Sequence, residues 1–178
     1  KGKLSLEKEN RLEVIFETIN ESQIISALIQ NHPYEEVAYD IYQLENTYQN
    51  IGSGMIGELE TPLSELEFLE RLKSVFMLKL IKHTPLLNKS IKKVALCGGS
   101  GSFLLKNAIN SKSDIYISSD FKYHEFFDAE GKLIIADVGH FESEQFTQEL
   151  LLELITEKFS NFALRLTLQN TNPINYLI

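Results

Sequence analysis

Apolar and polar residues alternate through "RLEVIFE", Arg11 to Glu17, the pattern of a half-buried strand. In "NESQIISALIQNHP" the period lengthens. Ile24, Ile25 and Leu28 recur at helical spacing, Asn20 is placed to cap the helix, and Pro33 ends it. Alternation resumes in "EEVAYDIYQLE" at Val37, Tyr39, Ile41 and Gln43. Residues 1–48 therefore read as a β-α-β piece, too short of strands to form a stable sheet alone. A partner is implied, within the chain or outside it.

The pattern changes after residue 48. "NTYQNIGSGMIGELETP", rich in Asn, Gly and Ser, reads as a linker, with Thr61-Pro62 as a helix start. "LSELEFLERLKSVF" places Leu63, Leu66, Leu69 and Leu72 on roughly one helical face. Strand and helix then alternate. "KKVALCG", "DIYIS" and "KLIIADV" predict buried strands, and "FALRLTLQN" a last one; "SFLLKNAI", "FKYHEFFDA" and "ESEQFTQELLLELITEKF" predict helices between them. Continuously apolar strands in βαβα order predict an α/β unit over residues 49–178, a mostly parallel sheet flanked by helices. Ligands of such sheets lie beyond the carboxyl ends of the strands.

Composition narrows the function classes. The 178 residues are 43% hydrophobic and 24% charged, ordinary for a soluble globular protein. The net charge of -8 is spread along the chain, and Lys92-Lys93 is the only adjacent basic pair. Nucleic acid is an unsuitable partner, because phosphate binding needs a clustered basic face. The only cysteine, Cys97, can form no intrachain disulfide, which fits a reducing, cytoplasmic compartment. No apolar run approaches the ~20 residues of a bilayer span, so no membrane is expected as partner. "KGKLSLEKENR" lacks both the apolar core of a signal peptide and an initiator methionine, as in a fragment of a longer protein.

Three stretches could carry chemistry. "GSGMIG" matches G-x-G-x-x-G at Gly52, Gly54 and Gly57, but "ELETP" intervenes before any helix, so a connector and turn is the better interpretation. In "CGGSGS", Gly98, Gly99 and Gly101 lie between a strand and a helix. There they could cradle an anion with backbone amides or simply make a tight turn. The P-loop lysine is absent, and Cys97 reads as core. In "DVGHFESE", His140 follows an apolar strand and Glu144 falls in the first turn of the next helix. Imidazole nitrogen and carboxylate oxygen together suit zinc, iron or manganese. A turn histidine and a helix N-terminal charge explain the pair equally well. "DFKYH" repeats the arrangement one unit earlier with Asp120 and His124, and two such pairs at successive strand ends favour a site. His32 and His83 read as structural.

"HPYEEVAYDIYQLEN", "IGSGMIGEL", "VALCGGSGS", "SSDFKYHEFFDA" and "DVGHFESE" occur here in an order that resembles the Nif-three-like family, homologues of type 2 GTP cyclohydrolase I. The resemblance spans nearly the whole chain. It implies two divalent metal ions per site between two α/β halves, and a homo-oligomer. It also implies that residues 1–48 end an inserted ferredoxin-like domain of the PII/CutA type, and that residues 49–178 are the second α/β half. His140 and Glu144 then correspond to metal ligands, and Asp120 and His124 to a pocket motif. The His-His-Pro motif and further aspartate of the family's first half are absent. The implied protein is a metal-dependent hydrolase of a purine nucleotide, with "CGGSGS" near phosphate, or a metal carrier or regulatory scaffold.

Overall fold

The structure is a computed structural model that describes residues 2, 8–46 and 51–177. The chain divides into two units, Lys1–Thr47 and Tyr48–Ile178. In the first, a 3-10 turn, Thr18–Asn20, leads into helix α1, Glu21–Asn31. Asn20 has helical backbone angles and makes no side-chain capping bond, because the preceding turn already leads into the helix. Among the described residues, the strands expected on either side of α1 form no ladder. Alternation supplies a side-chain pattern, but a strand exists only with a hydrogen-bonded neighbour. Leu12, Val14, Ile15, Tyr39, Ile41 and Tyr42 are accordingly exposed.

The second unit is built on a five-stranded sheet of order β1-β3-β4-β5-β2. Its strands are β1 (Met55–Ser64), β2 (Lys82–His83), β3 (Ser90–Ser100), β4 (Ile115–Ser119) and β5 (Ile134–Asp137). β3, β4 and β5 pair in parallel, whereas β1 and β2 join the edges antiparallel. The expected mostly parallel sheet is thus a mixed one. The difference arises at β1, which the sequence disguises as a linker. β1 lies at the sheet edge, and its register breaks between Glu58 and Leu63. An edge with a bulge is where a strand can hold a proline, here Pro62. The first two glycines of "GSGMIG" precede β1 and Gly57 lies within it, so that segment opens no helix.

Helix α2, Glu65–Val75, starts after Ser64 instead of at Pro62. Ser64 Oγ accepts from Glu67 N (3.3 Å), and Glu67 Oε2 accepts from Ser64 N (3.0 Å), which satisfies donors at the helix start from both directions. The Ser64 hydroxyl also holds the Glu67 carboxyl below its usual range. α2 buries Phe68, Leu69 and Leu72 against one sheet face, with Ile115, Ile117, Ile134 and Ala136. The opposite face receives Tyr116 and Ile135, covered by helix α3 (Leu105–Asn110) and the 3-10 segment Tyr123–Ala129. Burial on both faces explains why β4 and β5 read as unbroken apolar runs.

The long helix expected after β5 is divided. α4, His140–Glu144, and α5, Thr147–Lys158, are separate helices. The strand expected at "FALRLTLQN" forms no ladder among the described residues.

Candidate functional site

The carboxyl ends of the parallel strands deliver the chemistry. Val138 N donates to Ser118 O (2.9 Å), which fixes where the chain leaves β5 beside β4. Asp120 follows β4 with φ of 58°, a left-handed conformation that a short polar side chain tolerates better than most. Gly139 turns the chain at φ of 90°, and its N–H donates to Asp137 Oδ1 (3.2 Å). His140 then opens α4, with Glu144 one turn on.

These turns join residues from different motifs. His140 Nδ1 lies 2.5 Å from Asp120 Oδ2, and His140 Nε2 lies 3.3 Å from Glu144 Oε2. A carboxylate only accepts, so Nδ1 carries the proton of the first contact. Its hydrogen bond to Asp120 raises the His140 pKa above the usual value against the opposing effect of burial, and the charges of Asp120 and Glu144 act in the same direction. Nε2 therefore faces Glu144 either as one end of an imidazolium or as a lone pair that shares a cation with the carboxylate. All three side chains are about half exposed. His124 is exposed and packs edge-on against Tyr123, with ring centroids 5.2 Å apart. Among the described residues, no hydrogen bond or ion pair links His124 to His140, Asp120 or Glu144.

The glycine loop braces this pair. Gly99 has φ of 63°, donates from its N–H to Ser143 Oγ (2.8 Å), and accepts at its carbonyl from Ser119 Oγ (2.6 Å) and Ser118 Oγ (3.1 Å). A Cβ at Gly99 would collide with Glu144 Oε1 and lie 3.4 Å from His140 Cε1. One at Gly101 would come within 2.8 Å of Cys97 Cβ. Gly101 O accepts from the Tyr116 hydroxyl (2.7 Å), whose pKa burial pushes up to about 12. Close approach to His140 and Glu144 explains Gly99 better than an anion cradle does, because its amide is already used by Ser143. Gly98 faces the cleft in front of the site.

That cleft, about 1310 Å³, is lined by Lys82, Asp120, Asp137, His140, Glu142 and Glu144, among others. Asp137 is 2% exposed, and its Oδ2 has the Lys82 ammonium at 2.7 Å. Glu142 Oε1 accepts from Asn172 Nδ2 and from the Tyr176 hydroxyl, each at 3.3 Å. Burial, and then the nearby Glu142 charge, raise the Tyr176 pKa, so this hydroxyl is a donor. Lys82, Asn172 and Tyr176 lie outside the site motifs of the sequence, and Asp137 and Glu142 lie inside "DVGHFESE" without being its paired residues. Asp137 carried a signal, as an acid inside the apolar run "LIIADV". Among the described residues, no group of three or more His, Cys, Asp or Glu side chains is arranged to hold a metal ion. His140 and Glu144 alone fit part of such a donor set.

The chain is similar to proteins already known. A Bacillus subtilis (strain 168) protein named GTP cyclohydrolase 1 type 2 homolog is 31% identical over 185 residues, covering 99% of this chain and 48% of that protein. The crystal structure of a Bacillus cereus protein related to NIF3 is 32% identical with a TM-score of 0.67, over 88% of this chain and 44% of that one. A Staphylococcus aureus protein of known structure shares the fold at 23% identity, with a TM-score of 0.73 over 93% of this chain and 55% of its own. The chain spans about half the length of the curated relatives that it matches. Residues 3–173 match the family described as Duf34/NIF3 (NGG1p interacting factor 3), and the chain belongs to that family.

Proposed function

We propose that this chain contributes His140 and Glu144 to a divalent metal centre whose remaining ligands lie outside these residues. The supporting observation is the His140 ring, oriented by Asp120 at Nδ1 so that Nε2 shares its space with a Glu144 oxygen. Metal-ligating histidines commonly donate their other ring N–H to a carboxylate, which fixes the tautomer. A nitrogen and an oxygen donor suit zinc, iron or manganese, but stable sites take at least three protein ligands. A second half of the protein, or another subunit of a homo-oligomer, would supply the rest. Two such metal ions per site would make the centre dinuclear. This chain alone would then bind metal weakly.

Bound metal would lower the pKa of coordinated water towards neutrality, the chemistry of a hydrolase. The relatives' name suggests a purine nucleotide such as GTP as substrate. The cleft favours the second reading, a metal carrier or regulatory scaffold. Asp120, Asp137, Glu142 and Glu144 face it, and Lys82 is already paired with Asp137. Such a surface attracts cations and repels a polyphosphate.

The test uses the full-length protein, purified without affinity metals and analysed for its elements. His140→Ala should lose most of the bound metal, with little change in the unfolding midpoint measured on metal-free protein, because an edge ligand packs little. Metal content that survives in folded His140→Ala sinks the site. Incubation with metal and GTP separates the two activities: ring opening supports the hydrolase, and binding without turnover supports the carrier.

A further inference from the structure

α4 has five residues, too few to hold its shape unaided, so its position depends on what grips it. Ser143 Oγ accepts from Gly99 N (2.8 Å), and Gln145 Nε2 donates to Phe76 O (3.0 Å). The third grip comes from residues 159–177, beyond α5, which form no helix or strand. From there Asn172 Nδ2 and the Tyr176 hydroxyl both reach Glu142 Oε1 at 3.3 Å. Lys79 Nζ sits 5.7 Å from the Tyr176 ring centroid, so the ring has a contact as well as the hydroxyl. Glu142 lies midway between His140 and Glu144 in sequence, and all three line the same cleft as Asn172 and Tyr176.

We infer that the carboxy-terminal segment is a strap that positions the α4 ligands: Tyr176 and Asn172, by holding Glu142, keep His140 and Glu144 in the register that a divalent cation needs. Glu142, Asn172 and Tyr176 are positioning residues, acting through α4 with no contact to the cation. The inference rests on the metal-site reading above. It adds that affinity is set partly from a segment without regular structure. Anything that pulls residues 172–176 away, such as a bound partner or a cleavage, would then loosen the site without touching a ligand.

The test has one readout with metal and one without. The full-length protein is stripped of metal and compared with Tyr176→Phe, Glu142→Ala, Glu142→Gln and His140→Ala. Zinc affinity is measured by competition with a chromophoric chelator, and amide hydrogen exchange of α4 is followed in the metal-free proteins. Tyr176→Phe and Glu142→Ala should each weaken zinc binding about tenfold, the scale of losing a support behind a ligand. Both should also speed exchange at the Ser143 and Gln145 amides, which bond to Gly139 O and Phe141 O. Glu142→Gln keeps an acceptor oxygen and should stay near wild type in both measurements. Unchanged exchange in Tyr176→Phe overturns the strap. Unchanged zinc affinity in Tyr176→Phe, with binding abolished by His140→Ala, overturns the positioning role and leaves the metal site standing. A Glu142→Gln loss as large as that of Glu142→Ala would mean that charge, not the hydrogen bonds, is at work, and also overturns the inference. Zinc binding that survives His140→Ala removes the metal reading and this inference with it.

Discussion

Asp137 ends β5 with almost no solvent contact, one oxygen on Gly139 N and the other on the Lys82 ammonium. Apart from Lys82, no donor reaches that second oxygen among the described residues. Removing the ammonium would leave a buried acceptor unmatched, a loss of about 1–3 kcal/mol. Lys82→Met should therefore lower the denaturant midpoint measurably. Adding Asp137→Asn should recover much of the loss, because the double variant no longer buries a lone charge. Equal stability of Lys82→Met and wild type would show that water does the same work as the ammonium. This ion pair also shows why single residues of the site were only partly legible. The sequence exposes "DVGHFESE" and "DFKYH" as local motifs and suggests pairs four residues apart. The structure keeps His140 beside Glu144 but sets Asp120 against His140, twenty positions away, instead of against His124, because parallel pairing of β4 with β5 puts Ser118 opposite Asp137. His124, inside the 3-10 segment Tyr123–Ala129, is carried elsewhere. Such pairings depend on strand register, which a local motif does not encode.

Elements were legible where both faces are covered or where a helix start is written in side chains. β4 and β5 stand out as apolar runs because both of their faces are buried, whereas β3 alternates buried and exposed positions. α2 is legible as a helix but not by its leucine face, since Phe68, Leu69 and Leu72 are buried and Leu66 is exposed. Leu63 lies in β1, the edge strand that Thr61-Pro62 hides by resembling a helix start. The true start is the reciprocal pair Ser64 and Glu67. Ser64→Ala removes the oxygen that accepts from Glu67 N, a change worth about 1 kcal/mol at a helix N-cap. The expected result is a lower thermal midpoint for the second unit, with metal binding by the full-length protein unchanged, since α2 does not line the cleft. A Ser64→Ala variant as stable as wild type would assign the α2 start to its buried face instead of its cap. Alternation alone was misleading in residues 11–17 and 37–43, where no neighbouring strand is present to complete a ladder among the described residues.

On the scale of the molecule, the second unit covers its sheet well and its last helix poorly. α5 carries Leu150, Leu151, Leu154 and Ile155, spaced to share one helical face, and buries none of its residues. Those four side chains are 37–55% exposed, and Phe159 and Phe162 beyond them are exposed too. The sequence shows the helical period of α5 but not whether its apolar face meets a partner inside the chain, since periodicity is the same in both cases. Grouped large apolar residues on a folded surface mark an interaction face or an aggregation hazard. The 178-residue chain is therefore expected to self-associate, with a sedimentation coefficient that rises with concentration. Leu151→Glu combined with Leu154→Glu places two charges on that face and should shift the distribution towards monomer. Helical content by circular dichroism should stay the same, because glutamate forms helix about as well as leucine. A wild-type chain that sediments as a monomer at every loading would leave the α5 face without a role in assembly. Association that persists in the double variant would place the contact elsewhere, and the exposed Leu12, Val14 and Ile15 of the first unit would be the next residues to change.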